Sequence, residues 1–260
     1  MKNFAKTAYQ EENTMAKTKI EWTDLPWNVI TGCTKISDGC QNCYVVNMAI
    51  RHRGRDGYPD DNPFQPNTFH ENMLNRPYGH RDWKKPRKAF ASSMGDLFHE
   101  DVTLSNIQRV FKVMNDCQMH TFQLLTKRPE NVLKIADKLN WTPNIWLGVT
   151  VEKEAVTHRI DTLRKIPANI RFLSCEPLLS SLPDMNFEGI HWVIAGGESG
   201  NRARPMNIEW VRDIRDQCEK QSIPFFFKQW GTYGEKGQKA KRKSDNGKML
   251  DGKEYLEFPV

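Results

Sequence analysis

A chain of 260 residues, 38% hydrophobic and 27% charged, is long enough for one large domain or two small ones, and this composition excludes a disordered or fibrous protein. It has no apolar run of membrane-spanning length and no signal peptide, so a cytoplasmic protein without membrane contact is expected. The net charge of +6 is compatible with a polyanionic partner without demanding one.

Residues 1–20 read as a polar leader, expected to be disordered, and Met15 offers a second start. From residue 21 to 232 a single folded unit is expected. Its first strand is Trp27–Gly32, directly before three of the six cysteines. Residues 51–85 are polar and rich in Pro and Gly, and read as an irregular insertion. After them short apolar or β-branched runs alternate with helical patterns. The strands are Lys88–Met94, Thr121–Thr126, Ile145–Val151, Ile170–Glu176, His191–Gly197 and Pro224–Trp230. Runs such as Trp192-Val193-Ile194-Ala195 are apolar throughout, as in parallel strands buried on both faces.

Between the strands, Leu104, Ile107, Phe111 and Met114 recur at helical spacing, as do Val156, Ile160, Leu163 and Ile166, and Ile208, Val211, Ile214 and Cys218. Pro129 suits a first helical position. Strands alternating with helices give an α/β fold with a parallel sheet. A closed eight-fold barrel needs about 250 residues, so a partial, open β/α barrel of six to seven strands fits better. Residues 233–260 read as an irregular C-terminal extension.

Cys33, Cys40 and Cys43 are spaced C-x6-C-x2-C. Clustered thiolates in a chain without secretory signal point to zinc or an iron–sulfur cluster. Structural zinc closes with four ligands, whereas a four-iron cluster on three cysteines leaves one iron open. An open iron is what a radical-SAM enzyme uses to chelate the methionyl end of S-adenosylmethionine. The competing reading is a zinc-stabilised nucleic-acid-binding protein without catalysis, its fourth ligand drawn from His52, His70, Cys117 or Cys175.

The run Trp27-Asn28-x4-Cys33-Thr34-Lys35-x-Ser37-x-Gly39-Cys40-x-Asn42-Cys43-Tyr44 resembles a phage and prophage family of radical-SAM-like proteins, itself similar to spore photoproduct lyase. Six further segments carry the resemblance: Ser92–Phe98, Leu125–Glu130, Gly148–Glu152, Ser174–Leu178, Gly196–Gly200 and Phe227–Gly231. The commoner radical-SAM motif has a three-residue first gap and an early Gly-Gly-Glu; here the gap is six and Gly196-Gly197-Glu198 comes late.

The resemblance implies a 4Fe-4S cluster on Cys33, Cys40 and Cys43, S-adenosylmethionine as cofactor, and a reductant such as flavodoxin or ferredoxin. It implies an enzyme of lyase or modification type, encoded by a phage or prophage in a bacterial host and acting on nucleic acid or a nucleotide. Ser92, Ser93 and Asp96 would take the methionyl end, with a helix N-cap as the alternative role. Thr150 and Glu152 would hold the ribose, or cap a helix at Lys153. Lys127 and Arg128 would bind the SAM carboxylate or a substrate phosphate, or lie in a solvated loop. Gly196, Gly197 and Glu198 would border adenine or substrate. Cys175, beside Glu176, would donate a hydrogen atom to a substrate radical, or be a small buried apolar residue.

Overall fold

The structure, a computed structural model, describes residue 18 and residues 20–260, the side chain of Lys243 excepted. The expected leader lies almost wholly outside the described residues. Seven parallel strands form one sheet in chain order: β1 Leu25–Trp27, β2 Lys88–Ala91, β3 Thr121–Thr126, β4 Ile145–Thr150, β5 Ile170–Cys175, β6 Trp192–Gly196 and β7 Phe225–Gln229. The sheet curls into an open half-barrel, as the alternation of strands and helices requires.

The helices of five or more residues are α1 Tyr44–Arg51, α2 Leu104–Asp116, α3 Pro129–Leu133, α4 His158–Arg164 and α5 Ile208–Lys220. Thr103 caps α2 through Asn106 N at 3.3 Å, and Asn207 caps α5 through Glu209 N at 3.0 Å. Their apolar stripes pack on the convex side, where Ile107, Phe111, Leu163, Val211, Ile214 and Cys218 join the main core with Leu147, Leu173 and Ala195.

A second, smaller core fills the concave side: Trp22, Phe90, Phe172, Trp192, Ile194 and Phe226. The two-residue strand period divides the side chains between these cores. On β5, Phe172 and Ser174 point inward while Leu173 and Cys175 point to the helices. Gly148 neighbours Phe172 across β4 and β5, and a Cβ there would stand 2.4 Å from the Phe172 ring.

Three local features differ from the sequence expectation. The first expected strand divides in two. Leu25–Trp27 enters the sheet, while Ile30–Thr31 pairs antiparallel with Thr68–Phe69 of the insertion. Gly32, at φ +87°, ends that pair, and a Cβ on it would lie 1.8 Å from Gln65 O, so only glycine fits. Secondly, α1 follows the cysteine loop directly.

Thirdly, the C-terminal extension is built into the barrel. Met249–Leu250 and Lys253–Glu254 form a hairpin. Backbone bonds Phe227 N→Tyr255 O (2.9 Å) and Glu257 N→Phe225 O (3.2 Å) then lay the tail along the free edge of β7. Phe258 stacks on Trp192 with ring centroids 5.0 Å apart and closes the floor of the inner core.

Candidate functional site

The loop between β1 and α1 carries Cys33, Cys40 and Cys43 across the C-terminal ends of the strands, where half-barrel and barrel folds gather their functional groups. The three thiols are free and half-buried, and they line one side of a cleft of about 200 Å³. Facing them are Ser92, Ser93 and Asp96 after β2, Lys127 and Arg128 after β3, and Thr150 of β4. Ser174 of β5, Glu176 just beyond it and Lys228 of β7 complete the polar belt. Trp22, Phe90 and Leu125 make the apolar floor.

Charged side chains strap the cysteine loop to the barrel. Arg128 Nη1 lies 3.3 Å from Cys33 Sγ, and Nη2 donates to Thr34 Oγ1 at 2.8 Å and Thr34 O at 3.2 Å. Glu152 Oε1 accepts from Gly39 N at 3.3 Å while its other oxygen holds Arg159 at 2.9 Å. Glu198 accepts from Arg204 at 2.7 Å, and the same guanidinium donates to Asp38 O at 3.1 Å. Asn42 adds a bond to Arg202 O at 2.8 Å.

The electrostatics of the loop are uneven. Burial and the Asp96 charge push the Cys33 thiol up to about 11, against the opposing pull of Arg128. At Cys40 burial also opposes ionisation, but the Lys127 charge and hydrogen bonds at Ile36 and Ser37 prevail and hold its thiol below the ordinary value. Burial likewise resists ionisation of Glu152 and Glu198. Ser37, Lys127 and Arg159 outweigh it for Glu152, and Arg204 with Asn42 for Glu198, so both stay below the usual carboxylate range.

The structure gathers Ser92, Ser93, Asp96, Lys127, Thr150 and Glu176 in the cleft with the three cysteines. Several have partners that the sequence did not reveal. Asp96 caps no helix: it accepts from Thr126 Oγ1 at 2.8 Å, Phe98 N at 3.0 Å and Arg128 Nη1 at 3.2 Å. Ser93 Oγ donates to Asn28 Oδ1 at 3.0 Å. Ser92 is held at φ +62°, a left-handed conformation uncommon for serine, at the cleft wall. Lys127 Nζ reaches Thr150 Oγ1 at 3.3 Å. Glu176 pairs with Lys228 at 2.9 Å and accepts from Ser174 at 3.3 Å.

Other expected residues lie elsewhere. Cys175 is wholly buried on the helix side, where burial and then the neighbouring charges of Cys218 and Glu176 hold its thiol far above the ordinary value. The barrel-interior thiol expected at this position is therefore not formed; the inward positions on that strand end are Ser174 and Glu176. Glu152 and Glu198 serve the loop straps rather than the cleft wall. Gly196 and Gly197 pack against the end of β7: a Cβ on Gly197 would stand 1.9 Å from Trp230 O. Neither Glu152 nor Thr150 caps a helix at Lys153, whose following turn has no side-chain cap.

Among the described residues, no three His, Cys, Asp or Glu side chains are grouped as a single-ion site. The candidate fourth zinc ligands are engaged or remote. His70 bonds Thr31 Oγ1 at 2.8 Å and Asp56 O at 3.0 Å, Cys117 and Cys175 sit in the main core, and His52 bonds Asp56 at 3.1 Å. An iron–sulfur cluster takes each thiolate on a separate iron, so it suits three sulfurs spread along one side of a cleft. Its anionic charge also suits the cations at Cys33 and Cys40. Tyr44 and Lys228 line the same cleft; each stands in a segment that carries the resemblance, but nothing in the spacing assigns it a role.

The same fold is found in spore photoproduct lyase. The lyase complexed with dinucleoside spore photoproduct superposes with a TM-score of 0.50 and 11% identity, over 80% of this chain and 64% of that one. A cysteine-to-serine mutant of the lyase gives a TM-score of 0.51 and 11% identity, over 73% of this chain and 60% of that one. This chain thus spans about three-fifths of the length of those proteins. No curated protein matches the sequence. No helix among the described residues is long and apolar enough to cross a membrane. A family match over residues 17–259, nearly the whole chain, shows that the protein belongs to the family described as protein of unknown function DUF5131.

Proposed function

We propose that the protein is a radical-SAM enzyme that acts on a nucleic acid or nucleotide, in repair or modification. The carrying observation is the cleft itself: three cysteine sulfurs on one side, and polar side chains from the ends of five strands facing them. When bound, a four-iron cluster on three thiolates supplies an open iron for S-adenosylmethionine and the electron that cleaves its sulfonium to a 5′-deoxyadenosyl radical.

The residues of the chain divide the remaining work. Cys33, Cys40 and Cys43 hold the cluster. Lys127, at the cleft wall between Cys40 and Thr150, carries the charge that suits the methionyl carboxylate. Ser92 and Thr150 offer hydroxyls to the amino and ribose groups. The Glu176–Lys228 pair, with Ser174, provides an acceptor and a donor that can read the edge of a base. Trp22 and Phe90 give that base an aromatic floor.

The charge distribution supports a polyanionic substrate. Residues 228–248 carry seven Lys or Arg against two acidic residues, most of the net charge of the chain. This segment stands on the mouth. Thr232 N donates to Glu198 O at 2.9 Å, and Thr232 Oγ1 accepts from Gly200 N at 2.9 Å. The lyase of the same fold that binds a dinucleoside photoproduct supports the same substrate class.

Anaerobic reconstitution with iron and sulfide tests the proposal. About four irons per chain are expected for one cluster, and reduction with flavodoxin or dithionite in the presence of S-adenosylmethionine should release 5′-deoxyadenosine. A colourless protein with one tightly bound zinc would sink it.

A further inference from the structure

Arg128 is more than nine-tenths buried, with 6% of its side chain exposed. All of its nitrogens are engaged: Nε donates to Glu100 Oε2 at 2.8 Å, Nη1 faces Asp96 Oδ2 at 3.2 Å and Cys33 Sγ at 3.3 Å, and Nη2 donates twice to Thr34. A guanidinium so occupied has no fork left for a ligand carboxylate or phosphate, unlike the neighbouring Lys127. Its contact with a proposed cluster ligand therefore needs another explanation.

A buried Asp–Arg pair is the simplest one, but the surroundings argue against it as the whole role. Asp96 is already satisfied by Thr126 Oγ1 and by the backbone N–H of Phe98 and Lys127. Glu100, the second counter-charge, is 57% exposed, so solvent screens it. Arg128 thus points a charged donor at the Cys33 sulfur, against the Asp96 charge, in a poorly screened interior. Among the three cluster cysteines, Cys33 alone has a charged group donating to its sulfur. A planar fork is what allows one side chain to span Sγ, Thr34 and Asp96 together, and lysine could not do so.

We propose that Arg128 is a positioning residue that raises the reduction potential of the cluster by hydrogen-bonding the Cys33 sulfur. This rests on the cluster reading above. Hydrogen bonds and cations at ligand sulfurs draw charge from them and favour the more negative, reduced state of an iron–sulfur centre. The one electron comes from the low-potential reductant, flavodoxin or ferredoxin, and Arg128 itself neither gains nor loses charge. It shifts the balance of that transfer toward the cluster.

The test is an EPR-monitored redox titration of reconstituted holoenzyme, read beside iron content. At the wild-type midpoint, Arg128→Gln should lower the ratio of reduced to oxidised cluster about tenfold, a downward shift of 59 mV for one electron. Arg128→Lys, which keeps the charge and loses the fork, should fall between the two. Glu100→Gln removes an exposed, solvent-screened carboxylate that touches Arg128 but not the cysteine, and should leave the midpoint close to wild type with the cluster intact. If Arg128→Gln fails to hold iron, the Arg128→Lys midpoint decides. Midpoints equal to wild type in every Arg128 variant that holds a cluster would overturn the role of Arg128 and leave the enzyme reading standing. A wild-type protein that takes up no iron would overturn the parent reading, and this one with it.

Discussion

Glu152 and Arg159 face each other at 2.9 Å with 0% and 5% of their side chains exposed, and the second Glu152 oxygen accepts from Gly39 N in the cysteine loop. One buried carboxylate, just beyond strand β4, thus joins helix α4 to the loop that carries Cys33, Cys40 and Cys43. Replacing Glu152 by Ala leaves the Arg159 charge buried and unpaired, which costs about 3–5 kcal/mol. The Glu152→Ala protein should unfold at markedly lower urea concentration. What it does retain in folded form should hold iron less tightly than wild type. A variant as stable as wild type would mean that water replaces the pair.

The cysteines separate by face. Cys33→Ala, Cys40→Ala and Cys43→Ala should each lose the cluster, measured as iron and sulfide per chain after desalting. Cys175→Ala removes one sulfur from the helix-facing core and should cost about 0.5–1.5 kcal/mol, as for a deleted methyl group. Its iron content should match wild type. Loss of iron from Cys175→Ala would place that thiol in the site after all.

Under the proposed function, Lys127 at the cleft wall meets the carboxylate of S-adenosylmethionine. A charge-assisted hydrogen bond is worth about 1.5–3 kcal/mol, so Lys127→Met should weaken binding of S-adenosylmethionine by about 10- to 150-fold. Calorimetry on the reconstituted protein measures this, with iron content as control. Unchanged affinity would assign the lysine to Cys40 alone.

The strands and the gathering of three cysteines at one cleft were legible because period and spacing are local properties. Phe172, Ser174 and Glu176 differ from Leu173 and Cys175 only by facing in or out, and β5 is buried on both faces. Nothing in Ile-Arg-Phe-Leu-Ser-Cys says which set faces the cleft, and so the role expected of Cys175 fell on the side that faces the helices. Asp96 and Glu198 read as ligand groups because their partners are distant or unpatterned. Asp96 meets Arg128 and Thr126 about thirty residues on, and Glu198 meets an arginine that also holds the loop at Asp38. The place of the tail is hidden in the sequence for a different reason. Its attachment to β7 is made of backbone hydrogen bonds, which leave no side-chain pattern.

That tail is also tied by charge. Asp251 in its hairpin meets Arg212 of α5, and Arg215 of the same helix at 2.6 Å. The hydrogen bonds from Arg212 and then Arg215 hold its carboxyl at about 2. A folded-state value below the unfolded one of about 3.9 means the tie is at full strength above about pH 4 and fades as pH falls toward 2. Asp251→Asn should therefore be less stable than wild type at pH 7. The gap in urea midpoint should narrow on acidification through that window. A gap independent of pH would show that shape rather than charge fixes the hairpin.

The basic segment at the mouth makes the last prediction. Lys236, Lys239, Lys241 and Arg242 are all exposed there, and none of them forms a side-chain ion pair among the described residues. If they grip a nucleic-acid backbone, replacing all four by Gln should weaken binding of a short duplex regardless of its sequence. The plot of log affinity against log salt should also flatten, by about 0.9 for each phosphate that is no longer neutralised. Fluorescence anisotropy across a sodium chloride series measures both. Reductive cleavage of S-adenosylmethionine in the absence of substrate should be unchanged, because these side chains stand outside the cleft. An unaltered slope would move the polyanion to another face, whereas abolished cleavage would mean that the segment also shapes the site.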